Sequence, residues 1–383
     1  MTAPLGSAYF SNVNITPTSD RQRTRPQWVW NVGDWRGLPD RQLRQATGRQ
    51  LKLSLLEPSG ASFSINGDST EALYITDLVT DLRVLRNGVP LYRGRVTATG
   101  DDIDETGYSL KVDTVDYRGL LDRRLLFTDK TYTNTAQETI AWDLLSYAKS
   151  QAGGDLQLTR GQWPSTGVTR ASVEFKDGDS IWDCLVKLMA MDNAFELDIT
   201  PQGVVNLYWP QKGGLDKGVL LDYGGNIKKA SGQTRDDTYA NAVRQSGADS
   251  VAPSIQTVAD IGSRPEGRWD VALGDTALTT TQMVTETAKF QLNQYSQLRT
   301  AWTLTFKAGK WRGPEHVWLG DIVTYSVKRG RRFDVGQARV YELTIDVDES
   351  GGETVSVTID KPRDDDAKLI KRMAKKVRYL SKR

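Results

Sequence analysis

The dipeptide Asn87-Gly88 lies between two runs of apolar and β-branched residues in the segment from Asp81 to Val96. Asn-Gly is the favoured pair for a two-residue type I′ turn, because both central residues of that turn need positive φ. The segment is therefore predicted to be a tight antiparallel hairpin, which commits this part of the chain to a β-sheet.

The turn also fixes the register of the two strands. Three cross-strand pairs follow from it: Arg86 with Val89, Leu85 with Pro90, and Val84 with Leu91. The pair at Pro90 is a non-hydrogen-bonded one, where its missing N–H points away from the partner strand. A strand at the edge of a sheet tolerates proline in that position.

Other short strand-like runs surround the hairpin, with Gly, Asp and Pro between them. They are Leu51–Leu56, Ala61–Ile65 and Tyr108–Val115. Closely spaced short strands are typical of a barrel or sandwich of roughly 100 residues. We therefore predict a first β-barrel-like domain over residues 28–126, preceded by a polar N-terminal arm over residues 1–27.

A small α/β insert domain is predicted over residues 127–210. Thr135 to Glu138 matches a capping box, and apolar residues follow it at helical spacing. These residues are Ile140, Ala141, Leu144, Leu145 and Ala148. A second helix, apolar on most faces and so expected to be buried, begins near Asp179-Ser180; strand-like runs follow at Phe195–Thr200 and Val204–Trp209.

Residues 211–300 are predicted to be a linker and β region with one helix at Gln282–Gln297. A second β-barrel-like domain is predicted over residues 301–362, where apolar residues alternate on both sides of a turn at Ser350–Gly352. Trp302–Phe306 and Asp321–Val327 are expected to be sheet neighbours of that hairpin. The complete prediction is a β-rich α+β multidomain chain, and no internal repeat is evident in the sequence.

A basic helix is predicted for residues 363–383. Ile370, Met373, Val377 and Leu380 fall at heptad positions among lysines and arginines. Such a helix is expected to assemble about a symmetry axis, to dock on a partner, or to remain a solvated tail. Residues 361–383 hold ten Lys or Arg and three Asp, so this tail carries +7 and the rest of the chain −5 of the net +2.

The sequence offers no recognisable catalytic, cofactor or metal site, so we expect a non-enzymatic protein without cofactors. The only cysteine is Cys184 and the only histidine is His316, which excludes a disulfide and a multi-histidine metal centre. Acidic clusters occur at Asp101–Glu105, Asp236-Asp237 and Asp364–Asp366. Each is interpreted as a solvated loop rather than as the opposed carboxylates of a glycosidase.

Tryptophans recur where the two β domains begin. They are Trp28, Trp30 and Trp35 in the first domain, and Trp302, Trp311 and Trp318 in the second. They are interpreted as anchors of the cores or of subunit interfaces; sugar stacking on an exposed β surface is the alternative.

Several of these segments together resemble the minor tail proteins of long-tailed (siphovirus) actinobacterial phages, which are related to baseplate hub, or tail-associated, proteins. The matching segments are Tyr74–Leu78, Asp81–Val96, Tyr108–Val115, Asp116–Arg124, Leu319–Val323 and Arg339–Ile345. With the helical insert, the resemblance covers most of residues 28–362.

The resemblance implies a homotrimer at the distal end of the tail in the virion. Three chains with two barrel-like domains each would present six similar units to the hexameric tail tube or distal tail protein. The implied partners are the distal tail protein, the tape measure protein and downstream tip proteins. Phage DNA would pass through the channel without specific binding, which suits the −5 body. A distal tail ring protein and a carbohydrate-binding tail adhesin are the alternatives.

Overall fold

The computed structural model describes residues 25–35, 41–105, 107–189, 191, 193–214, 216–234, 239–274, 281–296 and 300–359. Most of the predicted N-terminal arm, the predicted basic helix at 363–383, and the acidic clusters at Asp236-Asp237 and Asp364–Asp366 lie outside the described residues. The model has no helix long and apolar enough to cross a membrane within the residues it describes.

The first part of the chain is almost entirely β-structure. Its strands are β1 (Trp28–Asp34), β2 (Arg41–Gln42), β3 (Thr47–Ser54), β4 (Gly60–Asn66), β5 (Thr80–Arg86), β6 (Val89–Asp104) and β7 (Gly107–Val115). The insert region follows with α1 (Tyr117–Leu121), β8 (Lys130–Ala136), α2 (Gln137–Ser150), β9 (Thr159–Arg160), β10 (Thr169–Phe175), α3 (Ile181–Met189), β11 (Glu196–Ile199) and β12 (Val204–Tyr208).

The last part of the chain returns to β-structure around one helix. Its elements are β13 (Asp216–Asp222), β14 (Ile227–Thr234), β15 (Ala242–Ser246), β16 (Ser254–Thr257), β17 (Asp270–Gly274), α4 (Thr281–Tyr295), β18 (Thr300–Phe306), β19 (Ile322–Arg329), β20 (Arg332–Val347) and β21 (Glu353–Ile359). The predicted strands are present, and so are the three helices predicted before residue 363; the helix predicted at Gln282–Gln297 is α4 and spans Thr281–Tyr295.

The Asn87-Gly88 turn is confirmed, since the two residues have φ values of 50° and 79°. Arg86 pairs with Val89 and Leu85 with Pro90, as predicted. The third predicted pair is wrong: Val84 lies opposite Tyr92 rather than Leu91, because a β-bulge shifts the register there. The bulge lets two consecutive side chains, Leu91 and Tyr92, both be buried.

One large sheet contains both predicted β regions. Its strand order is β14-β18-β21-β20-β3-β4-β7-β6-β5-β1-β2, and β19 and β13 extend it from β20. The two regions meet where β20 pairs antiparallel with β3, from Glu342 opposite Ser54 to Val347 opposite Arg49. A single hydrophobic core underlies this sheet and includes Trp30, Phe63 and Leu304.

The predicted capping box at the start of α2 is wrong. The helix begins at Gln137 after Ala136, with no side-chain cap. Thr135 belongs to β8, where it pairs with Arg170 and its hydroxyl donates to the Thr133 carbonyl. Because β8 runs directly into α2, the threonine serves the strand rather than the helix.

The five apolar residues predicted for α2 are all buried, and they form a second core with α3. The Ser180 hydroxyl accepts a hydrogen bond from the Asp183 N–H at 3.0 Å, so α3 starts at the predicted residue. Cys184 is buried in this core, as expected.

The hairpin pairing at the C-terminal end is confirmed. β20 and β21 flank the turn at Ser350–Gly352, and β18 and β19 pair with β21 and β20, as expected for Trp302–Phe306 and Asp321–Val327. The region between the insert and β18 holds more structure than a linker. β13 and β14 join the large sheet, while β15, β16 and β17 form a small sheet against α4.

Candidate assembly interface

The residue types that most often carry chemistry are not brought together. Cys184 lies in the core of the insert, whereas His316 lies beside Phe306 of the large sheet, with ring centroids 6.2 Å apart. The described residues contain no group of three or more His, Cys, Asp or Glu side chains arranged to hold a metal ion.

The prediction that tryptophans anchor the core is confirmed for five of the six; Trp35 is only partly buried and lies beneath Arg95 instead. Trp28, Trp30, Trp302 and Trp311 are buried in the large core, and Trp318 packs against it. The indole N–H of Trp302 donates to Asp334 at 2.7 Å, which fixes it inside the fold. These four buried rings have no face available for stacking on a sugar.

The large sheet contains two units with the same pairing scheme. In the first, five strands pair in the order β3-β4-β7-β6-β5; in the second, they pair in the order β14-β18-β21-β20-β19. Every neighbouring pair within each unit is antiparallel. Each unit therefore contains two shorter strands, a hairpin into a long strand, and a return strand.

The long strands of the two units agree in detail. β6 and β20 are each 16 residues long, and each changes its pairing partner halfway. At that point each carries a β-bulge, with Thr97 as the extra residue in β6 and Tyr341 in β20. Bulges at matching positions of strands of equal length indicate two copies of one architecture.

Aligning the units on their bulges places buried apolar residues on buried apolar residues. The aligned pairs are Val96 with Val340, Leu110 with Val355, Val112 with Val357, Phe63 with Leu304, and Ile65 with Phe306. The two units thus build their parts of the core from the same strand positions.

The two units are joined within the chain along one strand edge. The second half of β20 lies between β21 and β3, so the long strand of the second unit meets the first strand of the first unit. The corresponding half of β6, residues 97–104, pairs with β7 alone among the described strands. β14, the counterpart of β3, pairs with β18, and from Lys228 onward its other side has no partner among the described strands; only its first residue, Ile227, bridges to Tyr223.

The exposed half of β6 is strongly acidic. Asp101, Asp102, Asp104 and Glu105 are all exposed, and so is Ile103, at 71% of its full accessible surface. The expected solvated loop is therefore wrong for the three aspartates, which lie in a paired strand. The Tyr108 phenol donates a hydrogen bond to the Asp101 carboxylate. This bond holds the carboxylate in place on the strand and raises the pKa of the phenol.

β14 has the opposite charge. Lys228 and Lys229 are exposed on it, and Ala230 packs in part against the large core. No local pattern predicts this strand, because its residues are neither strongly apolar nor regularly alternating. Only the pairing with β18 identifies it as the last strand of the sheet.

Buried arginines hold the units and the insert together. Arg118 of α1 donates to the Asp116 carboxylate at 2.8 Å, to the Ser54 carbonyl at 2.8 Å and to the Ser59 hydroxyl at 2.7 Å. Arg339 of β20 binds both oxygens of Glu196 of the insert at 2.6 Å. Because each guanidinium is bound by several acceptors, these contacts fix relative positions rather than offer a reactive group.

A shallow cleft lies between the first unit and the insert. Its charged groups are already paired, since Arg93 and Arg95 lie 2.9 Å and 3.6 Å from Asp81. Arg95 also stacks on Trp35, and burial raises the pKa of the Tyr117 phenol in the same wall. The cleft is therefore interpreted as part of the junction and not as a ligand site.

No protein-family model matches the sequence, and no curated protein matches it. Solved structures, however, share its fold. A tail protein from Neisseria meningitidis superposes with a TM-score of 0.65 at 12% identity, over 87% of this chain and 96% of that chain. A prophage tail protein from Shewanella oneidensis gives 0.65 at 14%, over 88% and 99%.

A prophage tail protein from Listeria monocytogenes gives a TM-score of 0.58 at 12% identity, over 91% of this chain and 98% of that chain. Such low identities establish a common fold. The chain therefore has the fold of phage tail proteins, from its first β unit through the insert to its second.

Proposed function

We propose that the protein is a structural subunit of a phage tail tip, the baseplate hub, and that it assembles as a homotrimeric ring. The observation that carries the proposal is the pair of equivalent β units in one chain. Three such chains supply six similar units, which matches a threefold tip to a hexameric tube. The fold shared with the three tail proteins supports the same role.

In this role the ring joins the tail tube or the distal tail protein to the central components of the tip and encloses the DNA exit channel. The tape measure protein and downstream tip proteins are the other proposed partners. We place the protein at the distal end of the virion tail, with the minor tail proteins of long-tailed actinobacterial phages. That assignment rests on the segments from Tyr74 to Arg124 and near Gly320.

The proposed role is structural and non-enzymatic. Outside the basic tail the chain carries −5, so a channel lined by it would not retain phosphates. The two barrel-like units, one on each side of the insert, would form the wall of the ring.

The stoichiometry of the chain in purified particles tests the proposal. Quantitative mass spectrometry against the major tail tube protein should give three copies per particle, and immunogold labelling should mark the distal end of the tail. Six copies would favour a distal tail ring protein, and absence from the particle would refute a tail role. Binding of the isolated chain to host glycans would favour an adhesin, a reading that the burial of Trp28, Trp30, Trp302 and Trp311 disfavours.

A further inference from the structure

We infer that the exposed half of β6 in one copy of this chain pairs antiparallel with β14 of the next copy, so that the junction seen inside the chain is repeated between chains. The inference rests on the proposed homotrimer and names the surfaces that would close it. It starts from the β20–β3 junction, whose counterparts are residues 97–104 of β6 and 228–234 of β14; over these residues each strand has one side unpaired among the described strands.

The position on β6 follows from the matching bulges. Thr97 corresponds to Tyr341, so residues 98–104 of β6 correspond one by one to residues 342–348. Asp101 is therefore the counterpart of Ile345, which pairs with Leu51 inside the chain.

The position on β14 follows from the neighbouring strands. Leu51 of β3 lies opposite Ala61 of β4, and Gly232 of β14 lies opposite Trp302 of β18. In each unit, one residue of the return strand (β7 or β21) lies opposite the residue that precedes the bulge of the long strand. Ala61 pairs with this return-strand residue in the first unit, and Trp302 pairs with it in the second. The two residues therefore occupy equivalent positions. Gly232 is thus the counterpart of Leu51.

The register expected between two copies follows from the β20–β3 register within one chain. The pairs Ile345–Leu51, Asp346–Gln50 and Val347–Arg49 become Asp101–Gly232, Asp102–Ser231 and Ile103–Ala230. Continuing the same register brings Asp104 opposite Lys229 and Glu105 opposite Lys228. The alignment used only backbone pairing, yet it places two of the four acidic residues, Asp104 and Glu105, against lysines and the exposed Ile103 against Ala230.

This arrangement is head-to-tail, because each copy uses β6 on one side and β14 on the other. Such a heterologous contact forms a closed ring when its rotation closes, and with two units per chain three copies give six units. Strand addition also satisfies the backbone groups along both edges. The competing role for the aspartates is to keep an open edge from pairing with anything. That role predicts no specific contact with β14.

A disulfide trap tests the register. The variant Asp102→Cys/Ser231→Cys places thiols on a predicted cross-strand pair, and Asp102→Cys/Lys149→Cys is the matched control with its second thiol on the insert. Cys184 is buried in both. Equal amounts of ¹⁵N-labelled and unlabelled full-length chain are mixed, oxidised mildly and analysed by non-reducing electrophoresis and peptide mass spectrometry.

We expect a 102–231 disulfide joining labelled to unlabelled chains in the test variant, with at least tenfold less in the control. Equal yields in both variants, or no disulfide, would overturn the inference. If the chain is trimeric yet the trap fails, the interface is wrong while the proposed function stands. If the trap succeeds but particles lack the chain at the tail tip, the strand pairing stands and the proposed function fails.

Discussion

The Arg86 guanidinium donates two hydrogen bonds of 2.9 Å to the Glu353 carboxylate, although the residues are 267 positions apart in the sequence. Their side chains are only 8% and 7% exposed, and the guanidinium also lies over the Trp311 ring at 4.7 Å. The contact links the tip of the first hairpin to the start of β21. It is therefore a bond between the two β units.

Breaking that ion pair should destabilise the fold strongly. Glu353→Gln leaves a buried guanidinium without its counter-charge, so we expect a loss of about 3–5 kcal/mol in the free energy of unfolding, measured by urea denaturation. Arg86→Met/Glu353→Leu, which removes both charges, should recover most of it. The exposed pair Lys149–Asp155, 4.0 Å apart, is the control, and Lys149→Met should change stability by less than about 1 kcal/mol. Equal losses at the two sites would show that burial does not govern the effect.

A second prediction concerns two glycines of the same strand. A Cβ atom at Gly94 of β6 would lie 2.6 Å from the Val115 carbonyl oxygen and would also clash with the Tyr92 hydroxyl. Gly94→Ala should therefore cost about 1–3 kcal/mol or more in thermal or urea unfolding. Gly100→Ala is the matched control, since its Cβ would meet only Lys111, at 3.9 Å. A stable Gly94→Ala protein would contradict the close packing of β6 on β7.

A third prediction concerns the pH dependence of stability through Glu138. Burial would raise the pKa of this carboxyl, but hydrogen bonds from its own backbone N–H and from the hydroxyls of Thr166 and Ser165 outweigh it and lower the pKa below 4.5. Because folding lowers the pKa, the stabilisation is present above pH 4.5 and is lost as pH falls through the folded value.

Glu138→Gln should accordingly lose about 1–3 kcal/mol at neutral pH. Its difference from the wild type should shrink when urea unfolding is repeated at about pH 3.5. Glu349→Gln, at an exposed glutamate, is the control and should follow the wild type at both pH values. If Glu138→Gln lowers the free energy of unfolding equally at both pH values, the site depends on the shape of this side chain and not on its charge.

A fourth prediction uses charge reversal to test association between copies. Asp104→Lys/Glu105→Lys on β6, or Lys228→Glu/Lys229→Glu on β14, should each weaken self-association about tenfold or more in analytical ultracentrifugation, and less so at high salt. Combining all four changes restores opposite charges and should restore association. Lys149→Glu/Lys187→Glu, at exposed lysines of the insert, should have no effect. A combined variant as weak as its parents would argue against this contact.

Local rules predicted most of the elements. The turn at Asn87-Gly88 was predicted correctly because its requirement for positive φ is met by these two residues alone. The register prediction failed at Leu91, because a β-bulge that allows this side chain to be buried shifts the pairing there. The capping prediction failed at Thr135, whose strand pairing with β10 took precedence over a helix cap.

The features on which the proposed assembly depends were the least visible in the sequence. The equivalence of the two units is one of pairing and bulge position, and side chains at matched positions differ, as with Phe63 and Leu304. The β20–β3 junction brings together segments almost 300 residues apart, which no local pattern encodes. The acidic run at Asp101–Glu105 was visible, but its meaning depends on the unpaired edge on which it lies.

The β20–β3 junction also has a consequence for biosynthesis. β3 leaves the ribosome nearly 300 residues before its partner in β20. Contacts of such high sequence separation form slowly, because a long loop must close before they contribute. The sheet is therefore completed only after β20 has been translated, so a nascent chain that ends before β20 cannot yet present the finished surface. Under the proposed pairing of copies, association would accordingly involve chains in which β20 has already joined β3.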